Sequence, residues 1–203
     1  MRYAWDYAHN YLDEQRNVGP ARKFAIGRIM HNVRQWDQIA AERVDTYVAN
    51  SHHVNRRIQK YYRRSSEVLY PPVDTRKFKV NSEHEDYFLI VSTLSPYKKV
   101  DLAIEVFNQN EKKLLVVGKG PEEDKLRAMA KNNIEFLGWR NDDDLAKLYA
   151  RCIALVFPGE EDFGIVPLEA QASGRPVIAF GRGGVTETVI PVNPEPPLER
   201  SNV

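Results

Sequence analysis

Five short apolar runs that alternate with helical segments constrain the fold of residues 87–180 more than any other feature of this 203-residue chain. Near-continuous apolar strands separated by helices are typical of a parallel sheet whose two faces are both covered. The sequence therefore predicts an α/β fold with a Rossmann-like parallel sheet. The predicted strands are 87–92, 114–117, 134–137, 153–158 and 177–180, and the predicted helices include 100–108, 121–132 and 142–151.

The segment between the last two predicted strands is the richest in functional side chains. Glu161 and Glu169 are separated by seven residues. Pro167 suits the first position of a helix and Gly174 suits its end, which places Glu161 before the helix and Glu169 in its first turn. Free N–H groups at a helix start favour an anion, whereas carboxylates accept hydrogen bonds from hydroxyls. A nucleotide-sugar carries both phosphates and hydroxyls and fits this segment.

Residues 1–80 have a different pattern, rich in aromatic and charged residues at helical spacing. The predicted elements are helices 3–15 and 21–44, strands 45–50 and 66–70, and a helix between these strands that runs from the cap residue Ser51 to about residue 64. The parallel sheet is therefore preceded by a mainly helical segment.

Several segments, taken together, resemble the retaining, family-4-type glycosyltransferases with the GT-B fold, and the mannosyltransferases in particular. The matching segments are 94–104, which resembles the donor-phosphate loop, 116–121, which resembles the next strand and turn, 136–149, which resembles the border of the base, and 161–169, which resembles the E-x7-E motif. The resemblance covers roughly residues 85–190. It implies a truncated GT-B donor domain at 81–203, incomplete at its C-terminus, and a remnant of the acceptor-side N-terminal domain with its linker at 1–80.

The resemblance also implies roles for individual residues. Lys98 pairs with the donor diphosphate and Glu161 faces the transferred sugar, so these two are the implied catalytic residues. Glu169 accepts hydrogen bonds from the ribose hydroxyls of the donor. The other implied donor-binding residues are Gly164, Ile165 and Val166 through their N–H groups, Trp139 beside the nucleobase, and Thr93 in the phosphate loop.

Thr93 is the main departure from the resembled family, which usually has an arginine five residues before the phosphate-binding lysine. A hydroxyl donates one hydrogen bond but carries no charge. Losing a charged hydrogen bond costs about 1.5–3 kcal/mol, so donor binding is expected to be weakened unless Lys99, Lys119 or Arg182 compensates.

Simpler interpretations stand beside these roles. Lys98 and Lys99 also suit two solvated cations before a helix, and Glu169 also suits a favourable acid near a helix start. Glu160 or Asp162 takes the place of Glu161 if the loop is shifted. No metal site is expected, because the chain has one cysteine and its adjacent histidines, 52 and 53, point apart on a helix.

Composition limits the compartment and the partners. The net charge is +1 and the single cysteine forms no internal disulfide, which suits a reducing compartment. We expect a cytoplasmic protein at the inner face of the membrane. A basic helix near residues 56–64 is interpreted first as a solvated face, with peripheral membrane contact as the alternative, and no nucleic-acid partner is expected.

The sequence therefore predicts a hexosyltransferase, or a fragment of one, that acts in polysaccharide or glycolipid assembly with retention of configuration. The expected partners are a nucleotide-sugar donor, with GDP-mannose as the first choice, and a saccharide or lipid-linked acceptor. No resident cofactor is expected. Two alternatives stay open: a non-catalytic nucleotide-sugar-binding or partner module, and a nucleotide-sugar epimerase-like enzyme.

Overall fold

The computed structural model describes residues 5–6 and 19–192, which divide into two compact units. The smaller unit contains the described residues up to Ala49 together with 55–68, and the larger unit contains 50–54 and the described residues from Leu69 onward. Within the described residues, no helix is long and apolar enough to cross a membrane.

Helices dominate the smaller unit. Within the described residues, the first elements are α1 (Pro20–Ala41), β1 (Val48–Ala49), α2 (His52–Tyr62) and β2 (Glu67–Val68). Strands β1 and β2 pair in parallel, with Val48 opposite Glu67. On α1, Asp37 accepts hydrogen bonds from Trp5 Nε1 and from the Tyr62 hydroxyl, both at 2.7 Å. The two strands are shorter than predicted, and the predicted helix 3–15 falls outside the described residues apart from 5–6.

The larger unit is built on a five-stranded parallel sheet. The strands are β3 (Phe88–Val91), β4 (Leu114–Val117), β5 (Ile134–Gly138), β6 (Leu155–Phe157) and β7 (Val177–Ala179), in the order β5-β4-β3-β6-β7. The helices are α3 (Val100–Asn110), α4 (Glu123–Met129), α5 (Asp142–Arg151) and α6 (Ile165–Ala172). The predicted α/β fold with a Rossmann-like parallel sheet is confirmed.

Alternate residues of the central strands enter two different cores, as expected for a sheet covered on both faces. Ile90 of β3 packs with Ile104 of α3 and Leu126 of α4. Leu89, its neighbour on β3, packs on the other face with Tyr149 of α5 and residues of α6. This two-sided burial explains the uninterrupted apolar runs in the sequence.

The helix that follows β6 starts two residues earlier than predicted. Gly164 is its N-cap with φ at 90°, so Ile165 is the first helical residue and Pro167 the third. Proline is tolerated there because the first-turn N–H groups have no partner within the helix. The prediction that Glu169 lies in the first turn is therefore wrong, because it is the fifth residue of α6.

The single cysteine lies where α5 gives way to β6. Cys152 is the C-cap of α5, and its N–H donates to the carbonyl oxygen of Leu148. The side chain is fully buried, and burial raises the pKa of the Cys152 thiol to about 11. Such a thiol stays protonated at neutral pH, which suits a packed apolar role at this helix end.

Candidate functional site

A cleft of about 820 Å³ lies beyond the carboxyl ends of β3, β4, β5 and β6, where a parallel sheet of this type binds ligands. All the residues that line it belong to the larger unit. Val91, Val117 and Phe157 form its floor at the ends of their strands. Its polar wall contains Asn50, Ser92, Thr93, Lys98, Lys119, Arg140, Glu161 and Asp162.

An ion pair between Lys98 and Glu161 crosses one side of the cleft. Lys98 ends the 3-10 turn Pro96–Lys98, and Glu161 lies in the loop after β6. Their side chains are 18% and 19% exposed. The two loops are in close contact, because a Cβ added to Gly159 would lie 2.9 Å from Cα of Lys98. The lysine is therefore held in place by a carboxylate before any ligand arrives.

The N-terminus of α6 opens into the same cleft through Gly164, Ile165 and Val166. Their N–H groups belong to the cap and first turn, where no intrahelical acceptor exists and the helix dipole favours negative charge. The preceding Phe163 is buried and stacks on Tyr70, with ring centroids 5.6 Å apart. The amides thus directly follow a buried and stacked residue, and they are suited to bind an anion.

Glu169 lies in a smaller pocket of about 150 Å³ that shares Leu145 and Ile165 with the main cleft. The buried Tyr149 donates a hydrogen bond from its hydroxyl to Oε2 of Glu169 at 2.8 Å. Burial raises the pKa of Glu169, an effect that this hydrogen bond opposes. Burial and the neighbouring carboxylate also raise the pKa of Tyr149, so the hydroxyl remains a donor.

Two glycines allow a second backbone segment to lie against the Glu161 loop. Gly183 forms a parallel bridge with Glu161, and the N–H of Gly184 donates to the carbonyl oxygen of Glu161 at 2.8 Å. A Cβ at Gly183 would lie 2.4 Å from that same oxygen. A Cβ at Gly184 would lie 2.2 Å from the carbonyl oxygen of Asp162. Only glycine permits these close approaches, which hold the backbone of Glu161 and Asp162 in place.

Glu187 binds residues that are distant from it in the sequence. Its carboxylate accepts hydrogen bonds from the N–H groups of His52 and His53, both at 2.8 Å, and from the Tyr70 hydroxyl at 3.0 Å. Burial raises the pKa of Glu187, but these hydrogen bonds outweigh it and the net pKa is lowered. Ser51 adds a second connection by donating to the carbonyl oxygen of Asp162 at 2.5 Å. As predicted, Ser51 also caps α2, accepting from the N–H of Val54.

The sequence matches the family described as "Glycosyl transferases group 1" over residues 73–193, which is more than half of the chain. This chain belongs to that family. The prediction of a family-4-like glycosyltransferase with the GT-B fold is thereby confirmed, and the matched residues contain the whole five-stranded sheet.

Individual proteins similar to this family member include two mannosyltransferases. The O-antigen chain mannosyltransferase RfbU of Salmonella typhimurium is 31% identical over 153 residues, which are 70% of this chain and 43% of that protein. The GDP-mannose-dependent monoacylated alpha-(1-6)-phosphatidylinositol monomannoside mannosyltransferase of Corynebacterium glutamicum is 37% identical over 116 residues, 49% of this chain and 30% of that protein. The chain therefore spans less than half the length of each.

The fold of this family member is also found in solved structures. The structure of Anabaena Alr3699/HepE in complex with UDP and glucose superposes with a TM-score of 0.67 at 23% identity, covering 82% of this chain and 51% of that one. This likeness supports the GT-B-type fold of the sheet and its helices.

The eight predicted site residues occupy two adjoining pockets. The residues that line the main cleft are Thr93, Lys98, Trp139, Glu161, Gly164, Ile165 and Val166. Glu169 lies in the smaller neighbouring pocket. The roles that the resemblance assigns to these residues, including catalysis and base binding, remain predictions. In the part of the chain that the structure describes, no three His, Cys, Asp or Glu side chains form a group able to hold a metal ion.

Sequence reasoning missed four residues at or beside the cleft: Asn50, Pro71, Tyr149 and Glu187. Asn50 and Pro71 line the cleft but lie in the part of the sequence interpreted as a remnant of another domain. Tyr149 looks like an ordinary apolar-face residue of a helix, and its hydroxyl partner is 20 residues away. Glu187 follows two glycines, yet its partners lie up to 135 residues away, so no local pattern reveals them.

Proposed function

We propose that this chain forms the donor-binding part of a glycosyltransferase that transfers a hexose from a nucleotide-diphosphate sugar to an acceptor hydroxyl. The observation that supports this most is the meeting of Lys98, Glu161 and the N-terminus of α6 in one cleft, with Glu169 in the adjoining pocket. A cation and free amides suit a diphosphate, and the two carboxylates suit the hydroxyls of a ribose and a hexose.

In this proposal the diphosphate is the leaving group, and its developing charge is stabilised by the ammonium of Lys98 and the amides of Gly164 and Ile165. Donors that are fixed before the reaction contribute more than mobile ones, because they need no reorganisation as charge develops. The ion pair with Glu161 holds the Lys98 ammonium in place. Glu161 then lies beside the reacting sugar, and the transfer proceeds with retention of configuration.

GDP-mannose is the proposed donor. Two similar proteins are named as mannosyltransferases, and the name of one specifies dependence on GDP-mannose. UDP-glucose is the natural comparison ligand, because the Anabaena structure contains UDP and glucose. Trp139, which is 68% exposed and lines the cleft, is the proposed neighbour of the base.

Titration calorimetry with GDP-mannose, GDP, UDP-glucose and UDP tests the proposal on the whole chain. We expect GDP and GDP-mannose to bind, and Lys98→Met to weaken both by about tenfold to a hundredfold, the loss of one charged hydrogen bond. Lys113→Met is the matched control, because Lys113 precedes the amino-terminal end of β4, whereas the cleft lies beyond the carboxyl end. Absence of binding by all four ligands, or equal effects of the two variants, would contradict the proposal.

A second candidate is a nucleotide-sugar-binding module that needs a separate acceptor-binding protein. It is favoured by the composition of the cleft, because all the residues that line it belong to the larger unit. Incubation of the chain with GDP-mannose and saccharide acceptors distinguishes the two. Transfer by the chain alone supports the enzyme, whereas binding without transfer supports the module.

A further inference from the structure

Around Thr93 and Lys98, the cleft offers little positive charge that is not already paired with a carboxylate. Thr93 contributes only a hydroxyl there. Lys98 already forms an ion pair with Glu161, and Asp162 adds a second carboxylate to the lining. Placing a diphosphate beside two carboxylates is costly unless further cations or donors face it. Another cation in the lining would correct this imbalance.

Four basic residues near the cleft are candidates, and three are less suitable. Lys99 and Arg182 do not line the cleft, and Arg182 lies 3.7 Å from a carboxylate oxygen of Glu160. Arg140 lines the cleft, but its Nη1 donates to the carbonyl oxygen of the neighbouring Trp139 at 3.0 Å. Lys119 lines the cleft, and within the described residues its ammonium has no ion-pair partner.

The backbone places Lys119 directly beside the Thr93 loop. The carbonyl oxygen of Lys119 accepts a hydrogen bond from the N–H of Leu94 at 3.0 Å. The glycines on either side of Lys119 make this contact possible. A Cβ at Gly118 would lie 1.8 Å from the carbonyl oxygen of Ser92, and a Cβ at Gly120 would lie 2.3 Å from that of Leu94. The two loops are therefore packed against each other, and the backbone of Lys119 is bonded to Leu94, the residue after Thr93.

We propose that Lys119 supplies the second cation for the diphosphate of the nucleotide, in place of the charge that Thr93 does not provide. This inference rests on the proposed function of the cleft. It makes the diphosphate site a composite of the β3 loop, which contributes Lys98, and the β4 loop, which contributes Lys119. The residue acts by binding, so its removal is expected to lower affinity for the nucleotide more than it changes the stability of the fold.

The test compares Lys119→Met with Lys113→Met, since these lysines flank opposite ends of β4. We expect Lys119→Met to weaken GDP binding by about tenfold to a hundredfold and Lys113→Met to leave it unchanged. Lys119→Arg should retain most of the affinity. The loss in Lys119→Met should shrink as salt is raised, because the lost attraction is electrostatic and this side of the cleft is exposed to solvent.

Three results would overturn the inference while leaving the proposed function intact: unchanged GDP affinity in Lys119→Met, a loss that is independent of salt, or an equal loss in Lys119→Arg. A third variant, Thr93→Arg in the Lys119→Met background, should restore affinity by returning a cation to the loop. Equal thermal unfolding midpoints of the variants exclude misfolding as the cause. If the unaltered chain binds neither GDP nor UDP, the proposed function itself fails.

Discussion

The two carboxylates of the E-x7-E segment lie in contrasting environments. Glu161, in the loop before α6, is paired with a cation at the wall of the open cleft. Glu169, in the second turn of α6, accepts a hydrogen bond from a buried tyrosine in a smaller pocket, where burial raises its pKa. The positions of the two acids in the sequence determine which structural element each one lies on. The partners that each carboxylate meets in the fold determine its charge and its chemistry.

The largest expected effect concerns the backbone that supports Glu161. In Gly183→Ala, a Cβ would lie 2.4 Å from the Glu161 carbonyl oxygen at a residue whose φ is +83°. Strain and overpacking together should lower the free energy of unfolding by about 2–5 kcal/mol, measured by urea denaturation. Gly181→Ala is the control, because no atom lies within 4 Å of its added Cβ. Equal stabilities of the two variants would show that the Glu161 loop is not held by this contact.

The next effect separates the two acids by the sign of a change in GDP affinity. Glu161→Gln removes a negative charge from the cleft and releases Lys98, so GDP should bind about tenfold more tightly. Glu169→Gln removes the acceptor proposed for the ribose hydroxyls, so GDP should bind about tenfold more weakly. Calorimetry at pH 7 measures both. Changes of the same sign would mean that the two carboxylates do not have the different roles proposed here.

A pH dependence sharpens the comparison further. Burial raises the pKa of Glu169 above its ordinary value of 4.5, so the protonated form appears at a higher pH than for an exposed glutamate. Protonation favours the folded state slightly but removes an acceptor for the ribose. GDP affinity should therefore fall as pH decreases toward this raised pKa. Glu169→Gln should abolish the dependence, whereas Glu161→Gln should retain it; a dependence that survives in Glu169→Gln would assign it to another group.

The smallest expected effect tests the tyrosine behind Glu169. Tyr149→Phe removes the donor to Oε2, which should cost about 1 kcal/mol of stability and raise the pKa of Glu169 further. The pH profile of GDP binding should then shift to higher pH. Tyr87→Phe is the matched control, because the buried Tyr87 hydroxyl donates to the neutral carbonyl of Leu148 at 2.9 Å. It should cost similar stability without any shift; a shift in both variants would indicate a general effect of packing.

The fold was largely predictable because the sheet is determined by local patterns. The strand Leu114–Val117 and the helix Asp142–Arg151 have the predicted bounds, since each combines a clear periodicity with a clear boundary signal. The helix predicted at 121–132 is shorter, at Glu123–Met129. The side chain of Asn108 binds both the carbonyl oxygen of Met129 and the N–H of Lys131, at 2.8 and 2.9 Å. The end of this helix is therefore bound by a residue more than 20 positions away, which no local sequence pattern reveals.

The same distinction applies to the site. The loops that carry Lys98, Glu161 and α6 follow strands, so their convergence at one edge of the sheet follows from chain order. The pairing of Lys98 with Glu161 across 63 residues does not. The partners of Glu187 are also undetectable, because backbone N–H groups are identical for every residue type except proline. Sequence therefore predicts which segments meet more readily than which atoms bond.

Cys152 can report on local unfolding of this chain. It is the only thiol in the sequence, it is fully buried, and its pKa of about 11 keeps it protonated. A reagent that alkylates thiolates can therefore act only when the region between α5 and β6 opens, so the labelling rate reports the free energy of that opening. If a nucleotide binds the cleft only while this region is folded, it should slow the labelling, which makes one unmodified sulfur a readout of ligand binding.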